Sequence, residues 1–369
     1  MFNACLPFSY FPKQWRCAKV LILKKHNKSN YSSPSSFRPI SILNALSKLF
    51  EKILLSRLSS LAEKHEWFSP AQHGFRKGKS SESAALSLTS RIEGNRKRKL
   101  ATCCAFLDIQ SAFDAAWRPA VIKGLIAKGC PLYLVKVIAS FLSDRSAIIS
   151  DKNSSILAHL QLGCPQGSAL SPFLWNVLVD AVLNLQFEFD FAIIAYADDL
   201  VLISWNKSAA VATANLQLLC DEVVLWGHEV KLTLNASKTV FIIFFAKAKN
   251  PQQSITINNT VIPQSKSCVY LGLAIDFKLN WRTHIENKCL AAKRLWFLVQ
   301  RCARLSWGLS RDKLQLLYKA IIVPTILYGC VVWAKTTVKA SIVKLLHSAQ
   351  RPCAILTARV FKTTATATA

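Results

Sequence analysis

Phe189-Asp190-Phe191-Ala192-Ile193-Ile194-Ala195-Tyr196-Ala197-Asp198-Asp199-Leu200-Val201-Leu202-Ile203-Ser204 is the stretch on which the reading of this chain turns. Two apolar runs, Phe189–Tyr196 and Leu200–Ile203, flank Ala197-Asp198-Asp199. So short a polar interruption between β-type runs predicts a strand–turn–strand hairpin with two carboxylates at its tip. An Asp-Asp pair in a turn is ordinary turn chemistry by itself. What changes its weight is a third carboxylate upstream: the apolar, β-like run Thr102–Ile109 ends at Asp108. Phosphoryl transfer between nucleotides uses two divalent ions about 3.5–4 Å apart. Mg²⁺ is held by a few carboxylates together with substrate phosphates and water. Asp108, Asp198 and Asp199, at strand ends, form the candidate set.

The composition agrees with a polyanionic partner. The chain has 369 residues, with 47 Lys+Arg against 20 Asp+Glu and a net charge of +27. A long phosphate backbone explains so large an excess better than a small acidic substrate does. With 51% apolar residues the chain buries a large core and is no disordered basic tail. Its length predicts two or three lobes. The 12 cysteines include no C-x-x-C and no regular spacing, which excludes a zinc site or disulfide framework and points to a reducing compartment. There is no signal-like basic and apolar start. The most apolar stretches, Pro172–Phe187 and Ala320–Ala334, are too short or too polar to span a bilayer. No membrane partner is expected, and the expected location is intracellular, cytoplasmic and nuclear.

Outward from the carboxylates, Ala18–Leu23 reads as a strand. Leu46, Leu49, Phe50, Ile53, Leu54 and Leu58 recur with the period of an amphipathic helix. Pro39 keeps Arg38 extended. Pro70–Ser80 is a basic loop, and helical stretches follow it and run through Val121–Leu142. Gly163-Cys164-Pro165-Gln166-Gly167-Ser168 is a turn feeding an apolar helix from Pro172. Val240–Phe245 and Cys268–Ile275 read as strands. From Trp281 the pattern is helical and basic, and the stripe through Leu290–Leu305 is expected to be core with a basic outer face. The mixture is α+β.

These residues are recognisable together. Tyr196-Ala197-Asp198-Asp199 resembles the catalytic hairpin of reverse transcriptases, and Ala105–Asp114 their first metal-binding strand. Gly163–Pro172 resembles the nucleotide-binding turn and helix between them. Phe37-Arg38-Pro39-Ile40-Ser41 and Gln72-His73-Gly74-Phe75-Arg76-Lys77-Gly78 are similar to fingers motifs of the non-LTR retrotransposon branch. Leu234–Thr239 and Tyr270-Leu271-Gly272 resemble its last palm motifs, and Ile326-Leu327-Tyr328-Gly329-Cys330 its thumb. The motifs stand in family order over about residues 11–360.

The resemblance implies a right-hand polymerase, with fingers over 11–100, a palm over 101–275 and a helical thumb-like region over 281–369. Asp108 and Asp198 would bind two Mg²⁺ ions (Mn²⁺ as a substitute), with the Ile109 carbonyl a further ligand and Asp199 the third carboxylate. Lys238 would donate a proton to leaving pyrophosphate. Lys25, Arg38 and Arg76 would hold the incoming triphosphate. Gln166 would line the pocket of the new base pair, and Phe113 would exclude a 2′-hydroxyl. Leu271 and Gly272 would press on the primer end. Asp114 is expected to be a structural hydrogen-bonding carboxylate. The implied partners are an RNA template, a DNA primer and dNTPs, with an endonuclease domain or protein supplied elsewhere.

The sequence departs from the family where the fingers turn carries His26-Asn27. No endonuclease-like block precedes Phe11, and Thr363–Ala369 resembles the start of a family segment cut short. Two competing readings are an RNA-dependent RNA polymerase, disfavoured by the large apolar Phe113, and an inactive remnant that only binds nucleic acid, disfavoured by the three intact carboxylates.

Overall fold

The structure, a computed structural model, describes residues 2–25, 30–150, 154–245, 252–302, 308–360 and 363. His26-Asn27, Arg304-Leu305 and the run after Thr363 lie outside the described residues. Two compact units emerge. The first comprises Met1–Ala84, Leu100–Phe241 and Pro251–Gln264, and the second Ala85–Lys99, Ile242–Asn250 and Ser265–Ala369.

Along the chain the strands are β1 (Cys17–Lys24), β2 (Phe37–Ile42), β3 (Ala101–Asp108), β4 (Arg145–Ser150), β5 (Ser155–Leu160), β6 (Phe191–Tyr196), β7 (Asp199–Asn206) and β8 (Val240–Phe244). Two short hairpins follow, β9 (Ser254–Ile257) with β10 (Thr260–Pro263) and β11 (Ser267–Tyr270) with β12 (Leu273–Asp276). One four-stranded sheet has the order β2-β1-β4-β5, in which only β1 and β4 run parallel, and the other has the order β6-β7-β3-β8.

The second sheet carries the carboxylates. From Thr102 to Leu107 every residue of β3 is buried, including the adjacent Cys103 and Cys104. A run buried on consecutive positions has both faces covered, so it shows no alternation. The helix Ala209–Glu229 packs along β3 and β7 and buries Leu216, Leu219, Cys220 and Val223. Among the described residues it is the one unbroken helix long and apolar enough to cross a membrane. Its buried face against the sheet is that of a core helix.

Several expectations need correction. The helical stretch expected over Val121–Leu142 is two helices, Arg118–Ala127 and Leu132–Leu142. The first ends just before Gly129, which takes a left-handed backbone angle (φ 69°), and Pro131 is the N-cap of the second. The strand expected over Cys268–Ile275 folds back on itself, because Leu271 and Gly272 both take left-handed backbone angles (φ 48° and 75°) between β11 and β12. Leu46 and Leu49 are half exposed, and the helix Ala45–Lys64 buries Phe50, Leu54 and Leu58 instead.

In the second unit the helix Arg282–Arg301 buries Ile285, Cys289, Ala292 and Trp296 at helical spacing. Leu290, Phe297 and Leu298, expected in its core, stand 49%, 63% and 56% exposed beside Lys293 and Arg294. The polar alternation of this helix masked which stripe faces inward.

Candidate active site

The register of the sheet brings the carboxylates together. Asp108, the last residue of β3, pairs with Asp199, the first of β7. The Asp108 carbonyl accepts from the Asn235 N–H (2.8 Å), and the Gln110 N–H donates to the Thr233 carbonyl (2.9 Å). Backbone groups alternate sides along a strand. Asp108 therefore turns its own polar groups away from β7, and Asp108/Asp199 is the closer, non-hydrogen-bonded kind of pair. The same alternation directs the Ile109 carbonyl toward the β7 side, where the hairpin tip lies. Ile109 itself forms an isolated bridge with Leu234.

The hairpin turn is two residues, Ala197-Asp198, between the paired Tyr196 and Asp199. Ala197 has φ 54°, a left-handed value that costs a residue with a Cβ about 1–2 kcal/mol. Its surroundings hold it there. The Trp175 indole N–H donates to the Ala197 carbonyl (2.7 Å), and the Ala195 backbone exchanges hydrogen bonds with Ala71 and His73. Gly74 lies directly under the turn. A Cβ on it would fall 2.3 Å from the Ala197 nitrogen. Gly74 is itself pinned, its N–H donating to Gln72 Oε1 (3.0 Å) and its carbonyl accepting from Asn176 Nδ2 (2.9 Å).

Gly74→Ala is accordingly expected to push the tip aside while leaving the core intact. A displacement of about 1 Å at reacting groups costs on the order of a hundredfold in kcat. Primer-extension kinetics together with a thermal melt check this; an active variant would mean that the tip accommodates the methyl group without cost.

Electrostatically the site is governed first by burial and then by its own like charges. Burial, then the charges of Asp198 and Asp108, push the Asp199 carboxyl up to about 6. Burial also raises Asp198, and the charge of Asp108 adds to this, while a backbone hydrogen bond, Lys238 and Arg38 pull it back. Lys238 Nζ donates to Asp108 Oδ2 at 2.8 Å, with its own side chain 60% exposed. Asn235 Nδ2 reaches the same oxygen at 3.3 Å. Among the described residues no three His, Cys, Asp or Glu side chains converge as a preformed metal cage.

The other expected residues fall into three places. Arg38 on β2 acts electrostatically on Asp198, and Lys25 on Asp114. Burial raises the Asp114 carboxyl, which accepts from Gln166 Nε2 at 3.3 Å. The Gln166 carbonyl accepts from the Ser41 N–H (2.8 Å), so the Gly163–Ser168 turn docks on β2. The half-buried Phe113 ring lies 5.9 Å from Phe75 and 5.6 Å from Trp175. Arg76 stands elsewhere: its guanidinium donates to the Ser69 carbonyl (2.7 Å) and lies over the Phe68 ring. Leu271 and Gly272 belong to the second unit.

Several positioning residues were not singled out from sequence. Trp175 and Asn176 read as parts of an apolar helix, and only the polar break at Asn176 hinted otherwise. Glu51, fully buried, accepts from Ser47 Oγ (2.9 Å), Ser168 Oγ (2.5 Å) and the Ala169 N–H (2.9 Å), fixing the start of the helix Ser171–Leu183. No local motif marks it.

With this geometry in hand, comparison with known proteins is informative. Residues 22–275 match the family described as reverse transcriptase (RNA-dependent DNA polymerase). The chain is 31% identical over 349 residues to the RNA-directed DNA polymerase from mobile element jockey of Drosophila melanogaster, covering 90% of this chain and 37% of that protein. It is 30% identical over 375 residues to a retrovirus-related Pol polyprotein from type-1 retrotransposable element R1 of Bradysia coprophila, covering 99% and 36%. The chain thus spans about a third of the length of these relatives. In structure it resembles telomerase from Candida tropicalis, solved with a fragment of telomeric RNA. The TM-score is 0.52 at 13% identity, over 93% of this chain and 55% of that one. That likeness establishes a right-hand polymerase fold. Carboxylates at the ends of β3 and β7, motifs in family order and the match over residues 22–275 agree: the chain belongs to the reverse transcriptase family, with non-LTR retrotransposon polyproteins among its relatives.

Proposed function

We propose that this chain is an RNA-directed DNA polymerase of the non-LTR retrotransposon type, extending a DNA 3′ end on an RNA template. The observation that carries the reading is the strand register that sets Asp108 opposite Asp199, with Asp198 next to it in the hairpin turn. In the reaction the primer 3′ oxygen bonds to the α-phosphorus of a dNTP as the bond to pyrophosphate breaks. Two Mg²⁺ ions, or Mn²⁺ in their place, would when bound supply the charge that activates the hydroxyl and stabilises the leaving group.

The chain's own groups do the rest. Asp108, Asp198 and the Ile109 carbonyl would hold the cations, and Asp199 would add negative charge beside them. Lys238, released from Asp108, carries a proton that Nζ delivers to the departing pyrophosphate. Arg38 and Lys25 attract the triphosphate, Gln166 borders the nascent base pair, and Phe113 lies under the sugar. Arg76, whose guanidinium donates to the Ser69 carbonyl, would stand with them on the phosphates or on the template backbone. Residues 11–100 serve as fingers, 101–275 as palm and 281–369 as thumb. The apolar and basic face of Arg282–Arg301 suits a duplex backbone. An endonuclease domain or protein, supplied elsewhere, would provide the primer end in the nucleus.

Incubating the pure chain with poly(rA)–oligo(dT), dTTP and Mg²⁺ tests this. Incorporation is the expected result. Duplex binding without incorporation would favour the nucleic-acid-binding remnant, and incorporation of UTP in place of dTTP the RNA polymerase reading.

A further inference from the structure

We infer that Tyr328, through its hydroxyl, is the positioning residue that fixes the Leu271-Gly272 tip for contact with the primer terminus. The inference rests on the proposed polymerase function for what the tip touches, and on the geometry of the second unit for the rest.

The tip needs an external hold. A two-residue connection with both residues left-handed matches the twist of the flanking strands, but it suits Asn-Gly or Gly-Gly. Here the first position is Leu271, at φ 48°. Leucine has no side-chain oxygen to stabilise that conformation locally, as Asn or Asp would have. The tip is also half exposed and belongs to a hairpin of two four-residue strands, β11 and β12. An isolated hairpin of that size is marginal.

Tyr328 supplies the hold. Its hydroxyl donates to the Leu271 carbonyl at 2.7 Å. Its ring lies along Gly272, where an added Cβ would meet it at 3.4 Å. Tyr328 is in turn anchored from behind. Its carbonyl accepts from the Trp333 indole N–H (3.0 Å) and from His284 Nε2 (3.1 Å), while His284 Nδ1 accepts from the Ala274 N–H (3.3 Å) on β12. With Nδ1 accepting, His284 is the neutral Nε2–H form, and its burial lowers its pKa. The Lys288 ammonium lies 4.1 Å from the centre of the Tyr328 ring. Hairpin, tyrosine and helix Arg282–Arg301 are thus joined through one side chain, and the part of it that reaches the strained residue is a single oxygen.

Tyr328→Phe removes that oxygen and little else. In the full chain it is expected to speed amide exchange at Gly272 and Leu273 roughly tenfold, the scale of one net hydrogen bond. It should raise the KM for primer–template by a similar factor, leave the KM for dNTP within about twofold and lower the melting temperature by no more than about 3 °C. Adding Leu271→Asn, which favours the left-handed turn by itself, should restore the slow exchange. A purely structural tyrosine would instead spoil both KM values together, without rescue. Unchanged exchange at the tip overturns the latch. Faster exchange with an unchanged primer–template KM overturns its role at the primer. Should the unmodified chain extend no primer, the polymerase reading fails, and primer–template affinity together with tip exchange still decides the latch.

Discussion

Asp108→Asn and Asp198→Asn should each lower the kcat of primer extension by about a thousandfold or more, with the fold retained. A neutral amide does not hold a divalent cation against the charge of a triphosphate, and the lost stabilisation falls on the transition state. Structural collateral is small at both positions. Asp108 loses its contact with Lys238, a residue 60% exposed, and such pairs contribute about 0–1 kcal/mol. Asp198→Asn removes a like charge beside Asp199, so the Asp199 carboxyl should fall from about 6 toward its ordinary value. Single-turnover kinetics, circular dichroism and an NMR titration of the Asp199 carboxyl measure the three effects. A variant that polymerises near the wild-type rate would sink the metal assignment, and an unmoved Asp199 titration would place Asp198 farther from it than the sheet does.

The second large effect concerns sugar choice. Phe113→Val should keep much of the dNTP activity while rNTP incorporation rises by roughly a hundredfold. Exclusion by a ring is steric, so trimming it admits the extra hydroxyl without removing a favourable contact for the natural substrate. The competing reading is that Phe113 is core, where truncation costs about 3–5 kcal/mol and hits every nucleotide alike. Phe113 has core-like neighbours in Phe75 and Trp175, yet it is only half buried. Part of its ring is therefore free to meet a substrate. The ratio of kcat/KM for dNTP and rNTP in both proteins decides; an unchanged ratio in an active variant removes the gate.

Much of this was legible in the sequence because it is local. The hairpin around Asp198, the strand ending at Asp108 and the turn before Pro172 each announce themselves by period and turn residues over a dozen positions. What stayed hidden is what depends on pairing at long range. That Asp199, more than Asp198, lies across from Asp108 follows from a register shared by β3 and β7. Gly74, Trp175 and Glu51 matter through contacts with segments far along the chain. The break at Leu271-Gly272 was missed because Leu carries no turn signal; the residue that stabilises it, Tyr328, lies 57 positions away. The carbonyl partner of Arg76 was not legible either, because a basic residue in a loop gives the same sequence signal whether it meets a phosphate or a backbone carbonyl.

The order of strands in the carboxylate sheet bears on how the protein is made. Asp108 leaves the ribosome 199 − 108 = 91 residues ahead of its partner Asp199. At about 5–20 residues per second of synthesis, that is a wait of roughly 5–20 s. During it β3 is an apolar strand with both edges open, a ready template for pairing with another chain. The yield of folded protein is then set by what shields Thr102–Leu107 in that interval, and slower initiation, lower temperature or a bound chaperone should raise it without touching the finished fold.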